Sequence, residues 1–201
     1  MKKEKDNSKK VEIKEAALRL FTKLGYNAVT NRDIAKEAGV NHALVNYYYQ
    51  SKENLFETIV REIRQELIPK AALILNDPET TIEKKIKEIV DFYYGIDLIV
   101  KAPDVPFFMF SQIANNSENL QIKLGSVYFI KQIKAAIKRG EIAPIDPINL
   151  IVNLMSLIIF PLIIRPVIQH VGNISDKKFN FLVKERKKMV LQWILATMKT
   201  K

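Results

Sequence analysis

The chain has no cysteine, which excludes disulfides, thiolate nucleophiles and cysteine-based zinc sites together. Histidine occurs only at His42 and His170, too far apart for the paired spacing of a metal-binding helix. Glycine is scarce, six in 201 residues, and no glycine-rich phosphate loop is present. With no thiol, metal spacing or nucleotide cradle, neither an enzyme nor a bound cofactor is expected. Acidic residues are also in deficit: 22 against 32 lysines and arginines, a formal net charge of +10. Such a surplus favours polyanionic partners, although a lysine-rich surface alone accounts for it equally well. The opening MKKEKDNSKK has no apolar run behind its lysines, so no secretory signal is expected. Together with the missing cysteines, this fits a cytoplasmic protein. The longest uncharged apolar run, residues 148–164, is shorter than the roughly 20 residues a spanning helix needs. It also holds Asn149, Asn153, Ser156 and Pro161, so it is expected to be a buried helix with no membrane partner.

What is present is 48% apolar and 27% charged, a globular balance, with the apolar residues spaced for helices. An all-α fold of about nine helices is expected. Residues 1–10 read as a disordered basic arm. Ile13, Ala17, Leu20, Phe21 and Leu24 make one stripe of a first helix, which Gly25 ends. Thr30 or Asn31 caps a second helix, Asn41 a third and Ser51 a long fourth. A fifth is expected from about Thr81 to Lys101 and a sixth around residues 106–115. A seventh is expected from about Glu118 to Arg139. An eighth runs from Pro147 to about His170, capped by Asp146 and bent near Pro161 and Pro166, and a ninth from Asp176 to the end.

The informative segment is NRDIAKEAGVNHALVNYYY, residues 31–49. A helix-turn-helix needs two short helices crossing steeply over a three- to four-residue turn. Ala35 is small where the helices meet, Gly39 tolerates positive φ, Val40 plugs the turn, Val45 anchors the second helix, and Ile34 completes the cluster. An ordinary helical hairpin explains Ala35 and Gly39 as well. It does not explain an outward face bearing Asn41, His42, Asn46, Tyr47 and Tyr48 with no carboxylate, since such groups pair with base edges and phosphates.

The run AALRLFTKLGYNAVTNRDIAKEAGVNHALVNYYYQSKENLF resembles the DNA-binding domain of the tetracycline-repressor (TetR) family over residues 13–60. The resemblance implies a three-helix DNA-binding domain over residues 11–50, and an effector-binding and dimerising domain over residues 51–201. It implies that Thr30 and Lys52 clamp phosphates, and that Asn41, His42 and Ala43 enter the major groove. Tyr47 and Tyr48 are implied to contact the backbone and a base, and Asn46 a base edge. Arg32 and Lys36 either touch phosphates or are solvated surface. The family often has Lys-Gly where His42-Ala43 stands, so the operator sequence does not transfer. The implied partners are a palindromic double-stranded operator, a second copy of the chain joined through the last two helices, and a small-molecule effector. Repression is the family's usual mode.

The rear helices support a partner on their own terms, because the eighth is apolar nearly all round and needs cover on several sides. A basic membrane-surface protein is a rival reading, and the ninth helix with Lys184, Arg186, Lys187 and Lys188 comes nearest to it. Aromatic residues and methionines gather on helices five to eight. Tyr93, Phe107, Phe110, Tyr128 and Met155 are the expected wall of an effector pocket, with plain core packing as the alternative. Asp97, in phase with Tyr93, either binds the effector or pairs with a basic residue of the protein.

Overall fold

The computed structural model describes residues 2–96, 105–107 and 127–199. Among them are nine helices and no strand: α1 (Lys2–Leu24), α2 (Asn31–Glu37), α3 (His42–Tyr49), α4 (Lys52–Asn76), α5 (Ile82–Tyr94), α6 (Val127–Lys138), α7 (Pro147–Ile163), α8 (Arg165–Gly172) and α9 (Asp176–Thr197). Residues 105–107 form a further short helical stretch.

Local chemistry sets most of the helix starts. Side-chain oxygens of Thr30, Asn41, Ser51, Thr81, Asp146 and Ser175 each accept a hydrogen bond from a first-turn N–H, and Pro147 occupies the first turn of α7. The expectation of a disordered arm over residues 1–10 is corrected, because α1 begins at Lys2. Lysine and glutamate are good helix formers, and Glu12 accepts from Ser8 Oγ (2.9 Å) and Lys9 Nζ (2.6 Å) one turn back. The fifth helix stops earlier than Lys101: Gly95 caps α5, its N–H donating back to the carbonyl of Asp91. The expected eighth helix is two. Ile164, at φ −89° and ψ 13°, interrupts it between Pro161 and Pro166, and α7 and α8 are bent by 62°. No single helix among the described residues is long and apolar enough to cross a membrane, and this pair reaches the length only across its bend.

Two regions of core result. The front core joins Ile13, Ala17 and Phe21 of α1, Ile34 and Ala35 of α2, Val45 and Tyr49 of α3, and Leu55, Phe56, Ile59 and Val60 of α4. Val105 is buried in it too. The rear core packs α5, α6, α7 and α9 around Ile86, Phe129, Ile133, Leu154, Ile158 and Ile194, with a smaller cluster of Leu67, Leu162, Phe179 and Val183 beside it. Helix α4 serves both. Its first half lies in the front core, and Leu67, Ile74 and Leu75 pack behind, with Pro69 between.

Candidate DNA-binding site

Helices α2 and α3 are short and packed together across residues 38–41. Ala38 N–H donates to Ile34 O (2.9 Å), and Val40 N–H reaches back to Ala35 O (2.9 Å). Gly39 at φ 63° makes that reversal. A Cβ there would meet nothing within 4 Å, so glycine is needed for its φ alone. Val40 is half-buried against the front core, and Ala35 and Val45 are buried in it.

Helix α2 starts with a capping box. Asp33 N–H donates to Thr30 Oγ1 (3.2 Å), and Thr30 N–H donates to Asp33 Oδ2 (2.9 Å). The Thr30 hydroxyl also donates to Asp33 Oδ2 (2.6 Å), and these bonds hold the Asp33 carboxyl below its usual range. Thr30 is exposed, and both its N–H and its hydroxyl proton are committed to the cap.

At the tip of α3, Asn41 Oδ1 accepts from Ala43 N–H (2.9 Å), and Asn41, His42 and Ala43 are all exposed. Asn46 and Tyr47 are exposed further along, Tyr47 at 73%. Tyr48 is half-buried against the front core with its ring edge-on to Tyr47, 5.2 Å between centroids. Helix α3 holds no carboxylate, lysine or arginine. The helix therefore offers hydrogen-bonding groups and aromatic edges, with nothing to repel phosphate. Arg32 and Lys36 are exposed on α2.

Lys52 is turned inward. Its ammonium donates to the carbonyls of Tyr26 (3.0 Å) and Val29 (2.9 Å) and lies 4.2 Å from the Tyr26 ring centroid. Two of its three N–H groups thus hold the loop before α2, and one remains for a phosphate. Tyr26 in turn donates to Glu53 Oε1 (2.9 Å). Burial, and then that carboxylate, push its phenol up to about 12. Between α3 and α4, Gln50 sits at φ 63° and ψ −48°, and Ser51 N–H donates to Tyr49 O (2.7 Å). This is a γ-turn of the strained hand, and it joins α3 to α4. One further residue was not singled out as a site residue in the sequence: Asn31, whose Nδ2 donates to Asn46 Oδ1 (3.0 Å) across the two helices.

The expected effector wall is brought together only in part. Tyr93 and Met155 are half-buried and pack on the rear core, and burial raises the Tyr93 phenol. Tyr128 stands elsewhere: its hydroxyl donates to Pro78 O (3.3 Å), and its ring lies 4.6 Å from Lys85 Nζ, at the start of α5. Tyr93 lies eight residues along that helix, about 12 Å away at 1.5 Å per residue. Phe107 is 60% exposed. Asp97 and Phe110 lie outside the described residues. A groove of about 700 Å³ opens among Thr81, Gln132, Arg139, Leu195 and Met198, and a hollow of about 520 Å³ among Ile74, Glu88, Asp91 and Phe92. Neither includes the expected residues.

Residues 13–59 match the family model for bacterial regulatory proteins of the tetR family. That stretch is the front core with its two crossed helices. Over this stretch the chain carries a tetR-family DNA-binding domain. It is a helix-turn-helix, DNA-binding transcriptional regulator and not an enzyme. It is 26% identical over 161 residues to the HTH-type transcriptional regulator RutR of Escherichia coli, covering 72% of this chain and 69% of that one. Among solved structures, a TetR transcription regulator from Haloarcula marismortui superposes with a TM-score of 0.64 at 18% identity, over 96% of this chain and all of that one. A transcriptional regulator from Saccharomonospora viridis in complex with choline gives 0.68 at 16% identity, over 97% and 100%. At such identities the structural likeness establishes the fold of this chain and nothing finer.

Proposed function

We propose that this protein is a TetR-family repressor that binds a palindromic operator as a homodimer and leaves it when a small molecule binds. The observation that carries the reading is the carboxylate-free outer face of α3, packed on its own core. In this reading residues 11–50 are the DNA-reading domain and residues 51–201 the effector-binding and dimerising domain. Asn41, His42 and Ala43 enter the major groove, and Asn46 and Tyr47 reach bases or backbone. Thr30, Arg32, Tyr48 and the third N–H of Lys52 touch phosphates. Two such helices related by a two-fold axis address half-sites one helical turn apart.

The second copy is supported by an exposed apolar stripe on the rear helices. Ile148, Val152 and Phe160 lie at four- and eight-residue steps on α7, and Leu182, Met189 and Trp193 share a face of α9. Two routes link effector and operator: α4, shared by both cores, and Val105, which anchors the chain after α5 in the front core. Tyr93 and Met155 are the described residues best placed to feel an effector. The choline bound to the Saccharomonospora viridis protein supports a small molecule as the class of ligand.

The test is selection of genomic fragments followed by footprinting, with Tyr47→Ala beside the natural chain. A protected palindrome, lost in the variant, is expected. Salt-sensitive binding without sequence preference, equal in both proteins, would overturn the reading.

A further inference from the structure

Asn46 presents a planar amide to the outer face of α3, and its Oδ1 accepts from Asn31 Nδ2 at 3.0 Å. An asparagine amide is an acceptor at one end and a donor at the other. With the oxygen drawn toward α2, the NH2 end is turned away from α2, toward the exposed face. Asn31 holds this geometry at a cost, because its own Oδ1 is buried and accepts no hydrogen bond from the described residues. A buried acceptor left unpaired is unfavourable. Such an atom calls for a reason, and orienting the neighbouring amide supplies one.

We propose that Asn31 is a positioning residue that makes Asn46 a donor-only reader, selective for a guanine in each half-site. The inference rests on the DNA-reading role proposed for α3. A free asparagine pairs with adenine in two bonds, accepting from N6–H and donating to N7. An Asn46 whose oxygen is held toward Asn31 presents no acceptor to adenine N6. It keeps two N–H groups, and guanine offers two adjacent acceptors, O6 and N7. Cytosine presents only a donor in the major groove and is disfavoured most. The selectivity is therefore set one helix away from the base, by a residue that need not touch DNA.

Selection from a randomised palindromic library with the full chain tests this. Asn46→Ala identifies the base pair it reads as the one position whose preference it erases. There the natural chain is expected to prefer guanine over adenine by about ten-fold, in line with one good base contact. Asn31→Ala frees the amide to turn, and the ratio falls to about two-fold or less. Asn31→Asp places an acceptor where the donor was, which draws Asn46 Nδ2 inward and turns Oδ1 outward. The preference is then expected to invert toward adenine or cytosine. Each ratio is taken within one protein, so partial unfolding or the added charge of the Asp variant cancels. Adenine preferred by the natural chain, no position erased by Asn46→Ala, or ratios untouched by both Asn31 variants would each overturn the proposal while the DNA-reading role stands. If the natural chain selects no sequence at all, both readings fall.

Discussion

The front core is drawn almost wholly from residues 13–60, whereas the rear cores join residues that lie more than 100 apart, Ile86 with Met198 (112) in one and Leu67 with Val183 (116) in the other. The difference extends to their polar groups. Around α2 and α3, side-chain oxygens satisfy N–H groups two or three residues on, as at Thr30, Asn41 and Ser51. In the rear half, buried cations reach distant elements. Lys85, with no exposure, donates to Leu75 O (3.0 Å) and to Gln132 Oε1 (2.8 Å), and Gln132 Nε2 donates to Thr80 O (3.0 Å). Burial lowers the Lys85 ammonium and the Asp77 carboxylate partly restores it. Arg165 bonds Asp176 (2.7 Å) and Gln169 (3.3 Å) beneath the α7–α8 break and lies over the Phe179 ring. Both halves join local caps to longer polar bonds, as at Lys52 in the head and Thr81 in the rear, and what sets the rear half apart is that its cations, Lys85 and Arg165, are buried.

Removing the Phe21 ring is expected to have the largest effect. It is buried against Tyr26 and Phe56, edge-on to the latter at 5.2 Å. Phe21→Ala should cost about 3–5 kcal/mol. The only tryptophan, Trp193, lies on α9 and reports on the rear half. In urea, helical circular dichroism should fall in part before Trp193 emission changes. Coincident transitions would show that α4 and Val105 weld the two cores into one cooperative unit.

Next in size is the Lys85 contact. Lys85→Ala strips two buried acceptors of their donor and should cost about 2–3 kcal/mol, read this time by Trp193 emission. Lys85→Met loses the same two bonds but keeps the packing of the stem, so it should cost less. Equal losses in the two variants would mean that the ammonium, not packing around the stem, holds α4, α5 and α6 together.

These residues also mark what was legible in the sequence. The helix-turn-helix, its caps and Gly39 could be read because each obeys a rule spanning four residues or fewer. The bend at Pro161 and Pro166 was foreseen for the same reason, though not the full break at Ile164. Lys85 gave no signal, because it stands one residue from the Ile82 and Ile86 stripe and its partner Gln132 is 47 residues away. The inward turn of Lys52 and the Asn31–Asn46 bond were hidden likewise, since both depend on how α2 crosses its neighbours. The continuation of α1 to Lys2 is hidden by a lysine run that reads equally as a solvated arm, and it is the Ser8 and Lys9 bonds to Glu12 that favour the helix.

A smaller effect, opposite in sign, is expected at Gln50. A non-glycine residue at φ 63° and ψ −48° carries about 1–3 kcal/mol of strain. Gln50→Gly should relieve part of it and raise the stability of the reading head by about 1 kcal/mol, seen as a higher urea midpoint. Operator affinity should fall at the same time if the strained turn is what fixes the tilt of α3. Unchanged affinity would assign that tilt to the front core alone.

The smallest neutral-pH effect, and the sharpest for comparing the regions, belongs to Tyr26. Tyr26→Phe loses one partly exposed bond to Glu53 and should cost about 0.5 kcal/mol at pH 7. Its weight appears in alkali. Folding raises the phenols of Tyr26 and Tyr49 from 10.0 to about 12, chiefly by burial. The neutral forms are the ones that folding favours, so their contribution is whole below pH 10 and is lost as pH climbs through 12. Glu53 runs the other way. Its carboxyl is held low, first by its own backbone N–H and then by the Tyr26 hydroxyl, so its contribution is present at neutral pH and lost in acid. Between pH 10 and 12 the head should therefore weaken in the natural chain and weaken less in Tyr26→Phe, and Tyr49→Phe should add to that protection. Trp193 emission followed beside circular dichroism separates the halves, since Tyr93 and Tyr94 are raised by burial behind α4 as well. If Tyr26→Phe leaves the alkaline profile unchanged, the loss starts at those rear tyrosines, and the head is not the half that alkali opens first.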